Sequence, residues 1–285
     1  MRHSHIDDAL RARIVASWPL EGVRAGSALS WLAGRLLVVQ DDVPALALID
    51  PTTRAAERVV LEGAGLGMAK ADKPDFEASV MAPDGSVYVL GSGSSPKRRR
   101  IARFDPASAQ VSIVDASQLY QAIAERVGTA PNLEGAVHFG DSVQLLHRGA
   151  GDGPSAVVDV RPAALDGRDA HVGAPCAWDL GRIAGVRLAF SDAAPFDGGR
   201  LLYLAVAEDT PNAIDDGQVV GSAIGVLDDQ RGRWAPVVEI DGATTVRKAE
   251  GVALDPDLRG GWLVTDPDDP SRAADLCRIE LSGAW

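Results

Sequence analysis

Short apolar runs broken by Gly, Pro, Asp and Asn recur along the whole chain, and many of them come as pairs around a tight turn. Asp75 to Leu90 reads as strand, Pro83-Asp84-Gly85 turn, strand, and Asn132 to Leu146 repeats the form around Gly140-Asp141. Lys248 to Val264 is a third copy with a longer turn. Each copy carries a glutamate ahead of its first strand. Glu77 and Glu134 lie 57 positions apart, and Glu134 and Glu250 lie 116 apart, about twice that interval. The skipped copy falls near residue 190, where Val186–Phe190 and Arg200–Val206 flank a Pro/Asp/Gly turn without a glutamate in its slot. An earlier copy, Ser27–Trp31 with Arg35–Val39, has Ser27 in the glutamate position. Repetition at this period is the mark of a radial array of small sheets.

Third strands follow in each unit at Ala45–Asp50, Arg100–Asp105, Ala156–Val160, Ala223–Asp228 and Asp275–Glu280, and fourth strands at Glu57–Leu61, Gln110–Val114 and Val237–Ile240. The fifth unit ends after its third strand, while Arg11–Trp18 is a strand without a unit. Four strands per blade with short protected edges predict an all-β, five-bladed β-propeller as one domain over 1–285. The N-terminal strand closes the ring by supplying the missing outer strand. Residues 162–182 leave the third unit's outer strand unassigned, so six blades is the alternative count. One short inserted helix is predicted over Ser117–Val127, with Leu119, Tyr120, Ile123 and Val127 on one face, Asp115 or Ser117 as its cap, and a covered strand edge as its role.

In such a ring the start of each innermost strand and the end of the second strand converge around the central channel. The starts supply Lys73, Asp75, Glu77, Asn132, Glu134, Lys248 and Glu250; the ends supply Asp41, Asp42, Ser92, Ser94, Arg148, Glu208, Asp209, Asp266, Asp268 and Asp269. Converging carboxylates repel unless a cation neutralises them, and Ca²⁺ accepts six to eight oxygens in flexible geometry. Glu77, Glu134, Glu250 and Asp266 are therefore the candidate metal ligands, with Ca²⁺ the expected cofactor if there is one. A structural reading stands beside this one: glutamates at blade starts would accept backbone N–H bonds from neighbouring blades and tie the ring together.

The Glu-Gly-Ala step at Glu134, the Glu-Gly-Val step at Glu250 and the related Glu77-Ala resemble the phytase-like and esterase-like bacterial β-propellers. The resemblance implies a propeller whose acidic channel mouth carries Ca²⁺ at Glu77, Glu134 and Glu250, with phosphate-ester hydrolases and, more distantly, lactonases among its relatives. The chain departs from the phytase pattern in lacking an Asp/Glu cluster on every blade.

A phosphate or carboxylate ligand needs cations opposite the metal, and Lys73, Lys248, Arg148 and Arg187 are placed to supply them. His147 beside Arg148 is the candidate general base. These residues make Lys73, His147, Arg148 and Lys248 the candidate catalytic set, and pairing with the nearby glutamates is their structural alternative. Gly91–Ser95 before Lys97–Arg100 has the look of an anion nest, with a plain turn as the alternative. There is no Gly-x-Ser-x-Gly elbow and no His-Glu-x-x-His spacing.

Composition narrows the partners. A net charge of −12 excludes nucleic-acid binding driven by phosphate neutralisation. No apolar run approaches the length of a membrane span, and the N-terminal residues lack a secretory pattern, so a cytoplasmic protein is expected, with His3 and His5 in a frayed terminus. Cys176 and Cys277 are then packing thiols. Two functions fit: a metal-dependent hydrolase of a small anionic ester or lactone, or a non-catalytic propeller binding a small ligand or a protein partner.

Overall fold

In the computed structural model, which describes all residues except 65–67, 69–71, 150–152, 210–216, 229 and 270, the apolar runs form strands in successive antiparallel groups. The first group is Gly26–Leu32, Arg35–Gln40, Ala45–Ile49 and Ala56–Val60. The second is Phe76–Met81, Val87–Gly91, Arg100–Asp105 and Gln110–Asp115. The third runs through Leu133–Phe139, Ser142–His147, Ser155–Val160 and Cys176–Asp179, which supplies the outer strand left open by the sequence. The fourth is Val186–Pro195, Leu201–Asp209, Gln218–Leu227 and Gly232–Val238. In the fifth, Ala249–Leu254, Gly260–Thr265 and Asp275–Ser282 are joined by Arg11–Pro19, which pairs antiparallel with the last of them at Ile14↔Ile279 and Ser17↔Cys277.

Burial explains the composition of each strand. Second strands such as Arg35–Gln40 are covered on both faces and read as unbroken apolar runs, whereas the outer Gln110–Asp115 is exposed over most of its length. Apolar clusters fill the spaces between the groups. Val39 and Leu46 meet Phe76 and Val89; Leu90 and Ile101 meet Leu133 and Leu145; Val137 and Leu146 meet Phe190 and Tyr203; Leu202 and Leu204 meet Val252 and Leu263. Val264 and Leu276 of the fifth group meet Leu29 and Val38 of the first. Each sheet thus packs face-on against the next, in the propeller-like manner expected.

The helix, Ser117–Val127, buries Leu119, Tyr120 and Ile123 in the cluster between the second and third groups. Its N-cap residue is Ala116, not Asp115 or Ser117; the Asp115 carboxylate instead accepts the Ser117 N–H at 2.9 Å and hydroxyl at 2.6 Å. The expected frayed terminus is also corrected. Arg2–Ile6 is a strand between the outer edges of the third and fourth groups, parallel to both, with Arg2↔Trp178 on one side and Ser4↔Gly232 on the other. Ser4 ties this five-residue strand to the interior by a 2.8 Å hydroxyl contact with buried Tyr203.

Candidate functional site

The innermost strand of every group has a β-bulge at the same place. Register shifts past Ser27, Glu77, Glu134, Ser191 and Glu250. A bulge leaves one residue unpaired and re-aims its side chain, so the repeated glutamates and their serine counterparts mark a built feature of the ring. The serines are structural ties. Ser27 Oγ donates to the Phe76 carbonyl at 2.6 Å and Ser191 Oγ to the Ala249 carbonyl at 2.8 Å, each joining one inner strand to the next.

The glutamates are not ties of that kind. Glu134 accepts a side-chain bond from Asn132 Nδ2 at 2.9 Å, and no described residue donates a hydrogen bond to Glu77 or Glu250. The backbone N–H groups that the structural reading assigned to glutamates are bound by Asp192 instead. Its carboxylate, 2% exposed, accepts the Val252 N–H at 2.8 Å and the Leu29 N–H at 3.3 Å, so one fourth-group side chain holds the fifth and first groups. The glycine after each of Glu134 and Glu250 permits this close approach. A Cβ on Gly251 would lie 2.7 Å from Leu29 N, and one on Gly135 would lie 3.0 Å from Ala193 N. The repeat alone does not point to Asp192, because the 57-residue interval from Glu134 reaches its neighbour Ser191.

Backbone bonds extend the strand pairing past the bulges and bring the predicted residues together. Ser92 N–H donates to Asp75 O at 2.8 Å, Arg148 N–H to Asn132 O at 2.9 Å and Asp266 N–H to Lys248 O at 3.0 Å. Lys73 Nζ binds Asp41 and lies 3.4 Å from Asp75, which also takes Arg98 at 2.7 Å and the Ser92 hydroxyl at 2.6 Å. Asp75 has φ 54, a left-handed conformation that aspartate tolerates better than most residues. Arg148 binds Glu208 at 2.6 Å and approaches Glu134 at 3.8 Å; Lys248 binds Asp268 at 2.9 Å and approaches Glu250 at 3.7 Å. Arg187 instead donates to the Gly153 carbonyl. In the Gly91–Ser95 loop, Ser92 and Ser94 are occupied by Asp75 and Arg98.

His147 is buried, and its Nδ1 accepts the Asn132 N–H at 3.0 Å. Burial pushes its pKa down to about 4, so the imidazole is neutral near pH 7. It positions Asn132, whose amide in turn holds Glu134.

Carboxylates outnumber cations around this mouth, and burial costs them their charge. Burial pushes Glu134 up to about 7 against the pull of Arg148, and Glu250 and Asp266 up to about 8 against Lys248. Glu77 is held well above the carboxylate range by burial, then by the charges of Asp75, Glu134 and Asp41. Burial works against the charge of Lys73, but Asp41 and Glu77 outweigh it and keep the ammonium protonated.

Among the described residues, Asp41, Asp75 and Glu77 are the group whose oxygens come within 4.8 Å of one another. Glu134, Glu250 and Asp266 do not join Glu77 in it. Hard oxygen donors at this spacing suit Ca²⁺. Asp41 and Asp75 have the Lys73 ammonium in contact, whereas Glu77 has no hydrogen bond or contact ion pair with a described residue and feels the charge of Lys73 only at longer range, against the charges of Asp75, Glu134 and Asp41.

The fold is shared with solved structures of low sequence identity. Glutaminyl cyclase from Myxococcus xanthus superposes with a TM-score of 0.57 at 9% identity, covering 100% of this chain and 99% of that one. The PQQ-bound aldose sugar dehydrogenase from Streptomyces coelicolor gives 0.54 at 13%, covering 96% and 98%. Both are propeller-like. No curated protein sequence matches the chain significantly, and no helix among the described residues is long and apolar enough to cross a membrane. Residues 22–281 match the profile of a family of unknown function (DUF6929), and the chain belongs to that family.

Proposed function

We propose that the chain is a single five-bladed β-propeller, closed by its N-terminal strand, that binds a divalent cation, Ca²⁺ in the first instance, at the channel mouth and hydrolyses a small anionic ester or lactone there. The five bulges and the apolar contact of the fifth group with the first support the blade count. The observation that carries the function is the division of labour among the bulged residues. Ser27, Ser191 and the neighbouring Asp192 tie the ring, which leaves the buried Glu134 and Glu250 and the half-buried Glu77 as carboxylates with no hydrogen bond to the backbone of a described residue.

Asp41, Asp75 and Glu77 would hold the cation. When bound, it would supply Lewis-acid polarisation of the ester oxygen. Arg148 and Lys248 would face the negative charge that develops on the substrate, and Lys73 would move off Asp41 to join them. Glu134, held between Asn132 and Arg148 with a pKa of about 7, suits a proton acceptor in this role. His147 acts through Asn132 as a positioning residue.

The test is turnover of a panel of lactones and phosphate monoesters with and without Ca²⁺, in wild type and in Glu77→Gln and Glu134→Gln. The reading predicts Ca²⁺-dependent turnover lost in both variants with the melting temperature kept. Turnover indifferent to Ca²⁺ and to both substitutions would overturn it. A second reading, a non-catalytic propeller that binds a small ligand or a protein at this face, draws on the engagement of Lys73, Arg148 and Lys248 by Asp41, Glu208 and Asp268. A mouth whose cations are so engaged favours a cationic ligand, and saturable binding of such a ligand without turnover would select this reading.

A further inference from the structure

The strand Arg2–Ile6 lies at the rim of the ring, four strand spacings of about 4.8 Å each from the inner strands of the third and fourth groups. Its side chains alternate between two faces. Ser4 is turned inward onto Tyr203, so His3 and His5, two positions apart, both stand on the outer face. Both are exposed, and their rings are nearly parallel at 15° with centroids 6.2 Å apart. Parallel pairing sets His3 opposite Asp179, the last residue of Cys176–Asp179, and His3 Nδ1 lies 3.6 Å from Asp179 Oδ2. That separation is close to the roughly 3.3 Å edge between two ligands of one tetrahedral zinc ion. The carboxylate is already oriented. Its Oδ1 accepts the Gly181 N–H at 3.0 Å, which leaves Oδ2 to the histidine, and carboxylates that ligate metals are held by outer bonds of this kind. On the other flank Arg233 faces His5 in the register, but its guanidinium is drawn away by Asp7 at 3.0 Å and by the Ala284 carbonyl at 2.8 Å.

We propose that His3, His5 and Asp179 form a second metal site, for a divalent transition metal with Zn²⁺ as its first candidate, which clips the N-terminal strand to the third sheet. Two imidazole nitrogens with one carboxylate oxygen suit Zn²⁺ and its transition-metal neighbours and do not suit Ca²⁺, which takes oxygen ligands. His3 Nδ1 and Asp179 Oδ2 supply one edge of the tetrahedron. His5 needs only a side-chain rotation, free at an exposed position, to bring a nitrogen to about 2.1 Å from the same ion, and water completes the fourth position. A clip matters here because the strand buries one side chain of its five, Ser4. The site shares no residue with the channel mouth, so it stands or falls apart from the chemistry proposed there.

The experiment titrates the metal-stripped full chain, labelled with ¹⁵N-histidine, with Zn²⁺ and separately with Ca²⁺, and follows the imidazole resonances. Zn²⁺ is expected to move the His3 and His5 resonances together and saturably while those of His138, His147 and His171 stay in place, and Ca²⁺ should move neither His3 nor His5. His5→Gln should weaken the response of His3 to Zn²⁺ at least tenfold, and Asp179→Asn at least threefold. Both variants keep the fold, because His5 is exposed and an asparagine still accepts the Gly181 N–H. At a hundredfold excess over Kd, Zn²⁺ should raise the melting temperature of the wild type by about 4–5 °C and that of His5→Gln by less. His3 and His5 resonances unmoved up to millimolar Zn²⁺ would overturn the proposal. So would a response of His3 unchanged in His5→Gln, or an equal response of the exposed His171, which would mean capture by any surface imidazole.

Discussion

Replacing Asp192 by alanine removes a side chain that accepts backbone N–H groups of both the fifth and first sheets. Two donors, on Val252 and Leu29, then lie buried without an acceptor, and each such loss costs about 1–3 kcal/mol. The removed carboxyl also leaves a void. Part of this is offset, because a carboxylate 2% exposed is itself costly to keep charged and burial pushes its pKa well above the usual range. The net expectation is a destabilisation of about 2–4 kcal/mol, or a fall of roughly 3–7 °C in melting temperature for a chain of this size. Asp192→Asn keeps the shape and one acceptor oxygen and should stay within about 1 kcal/mol of wild type. Glu134→Gln and Glu250→Gln break no backbone bond, and Arg148 and Lys248 keep Glu208 and Asp268, so both variants should also stay within about 1 kcal/mol. Urea and thermal unfolding followed by circular dichroism at pH 7 measure all four. The assignment of ring-tying to Asp192 would be refuted if Asp192→Ala were as stable as wild type, or if Glu250→Gln lost more than it did.

Other consequences follow from the same geometry. Glu134, Glu250 and Asp266 have folded-state pKa values of about 7 to 8, above their unfolded values. The native chain therefore holds protons that the unfolded chain releases, and the stability they contribute is full below about pH 4 and lost as pH rises through 7–8; urea midpoints should fall from pH 6 to pH 9, and a flat or rising profile would contradict the burial of these groups. Adding Ca²⁺ at pH 9 should recover part of the loss. Gly251→Ala puts a Cβ 2.7 Å from Leu29 N and 2.8 Å from the Ala28 carbonyl carbon, so it should cost about 1–3 kcal/mol by overpacking, seen as a lower unfolding midpoint. Removing residues 1–9 takes away the strand shared by the third and fourth sheets, the Ser4–Tyr203 bond and the Asp7–Arg233 pair; the melting temperature should drop by several degrees, and an unchanged value would show that strand to be dispensable.

Much of this was legible in the sequence because alternation and turn residues act locally. The strand pairs, the role of Arg11–Pro19 as a partner for the last strand, and the convergence of Lys73, Asp75, Asn132, Glu134, Lys248 and Glu250 all follow from repeat spacing. Long-range partners were not legible. Arg2–Ile6 is a strand because of residues 176–179 and 232–234, and nothing in its own composition says so. The pairing of Arg148 with Glu208 spans 60 positions. His147 was grouped with Arg148 as its sequence neighbour, but successive strand residues point to opposite faces, which turns the imidazole into the packed interior. The acidic triad combines Glu77 with Asp75 two positions away and with Asp41 from the preceding sheet, a partner 36 positions away that the repeat spacing does not single out.

The central claim is that Glu77, a half-buried carboxylate without a hydrogen bond or ion pair from a described residue, is there to receive a cation together with Asp41 and Asp75. Calorimetric titration of metal-stripped protein with Ca²⁺, then Mg²⁺ and Mn²⁺, tests it directly in wild type, Glu77→Gln and the ring-tie control Asp192→Asn. The account predicts a single saturable site in wild type and in Asp192→Asn, weakened at least tenfold in Glu77→Gln. No heat of binding from any of the three ions in wild type, or equal binding in Glu77→Gln, would contradict it.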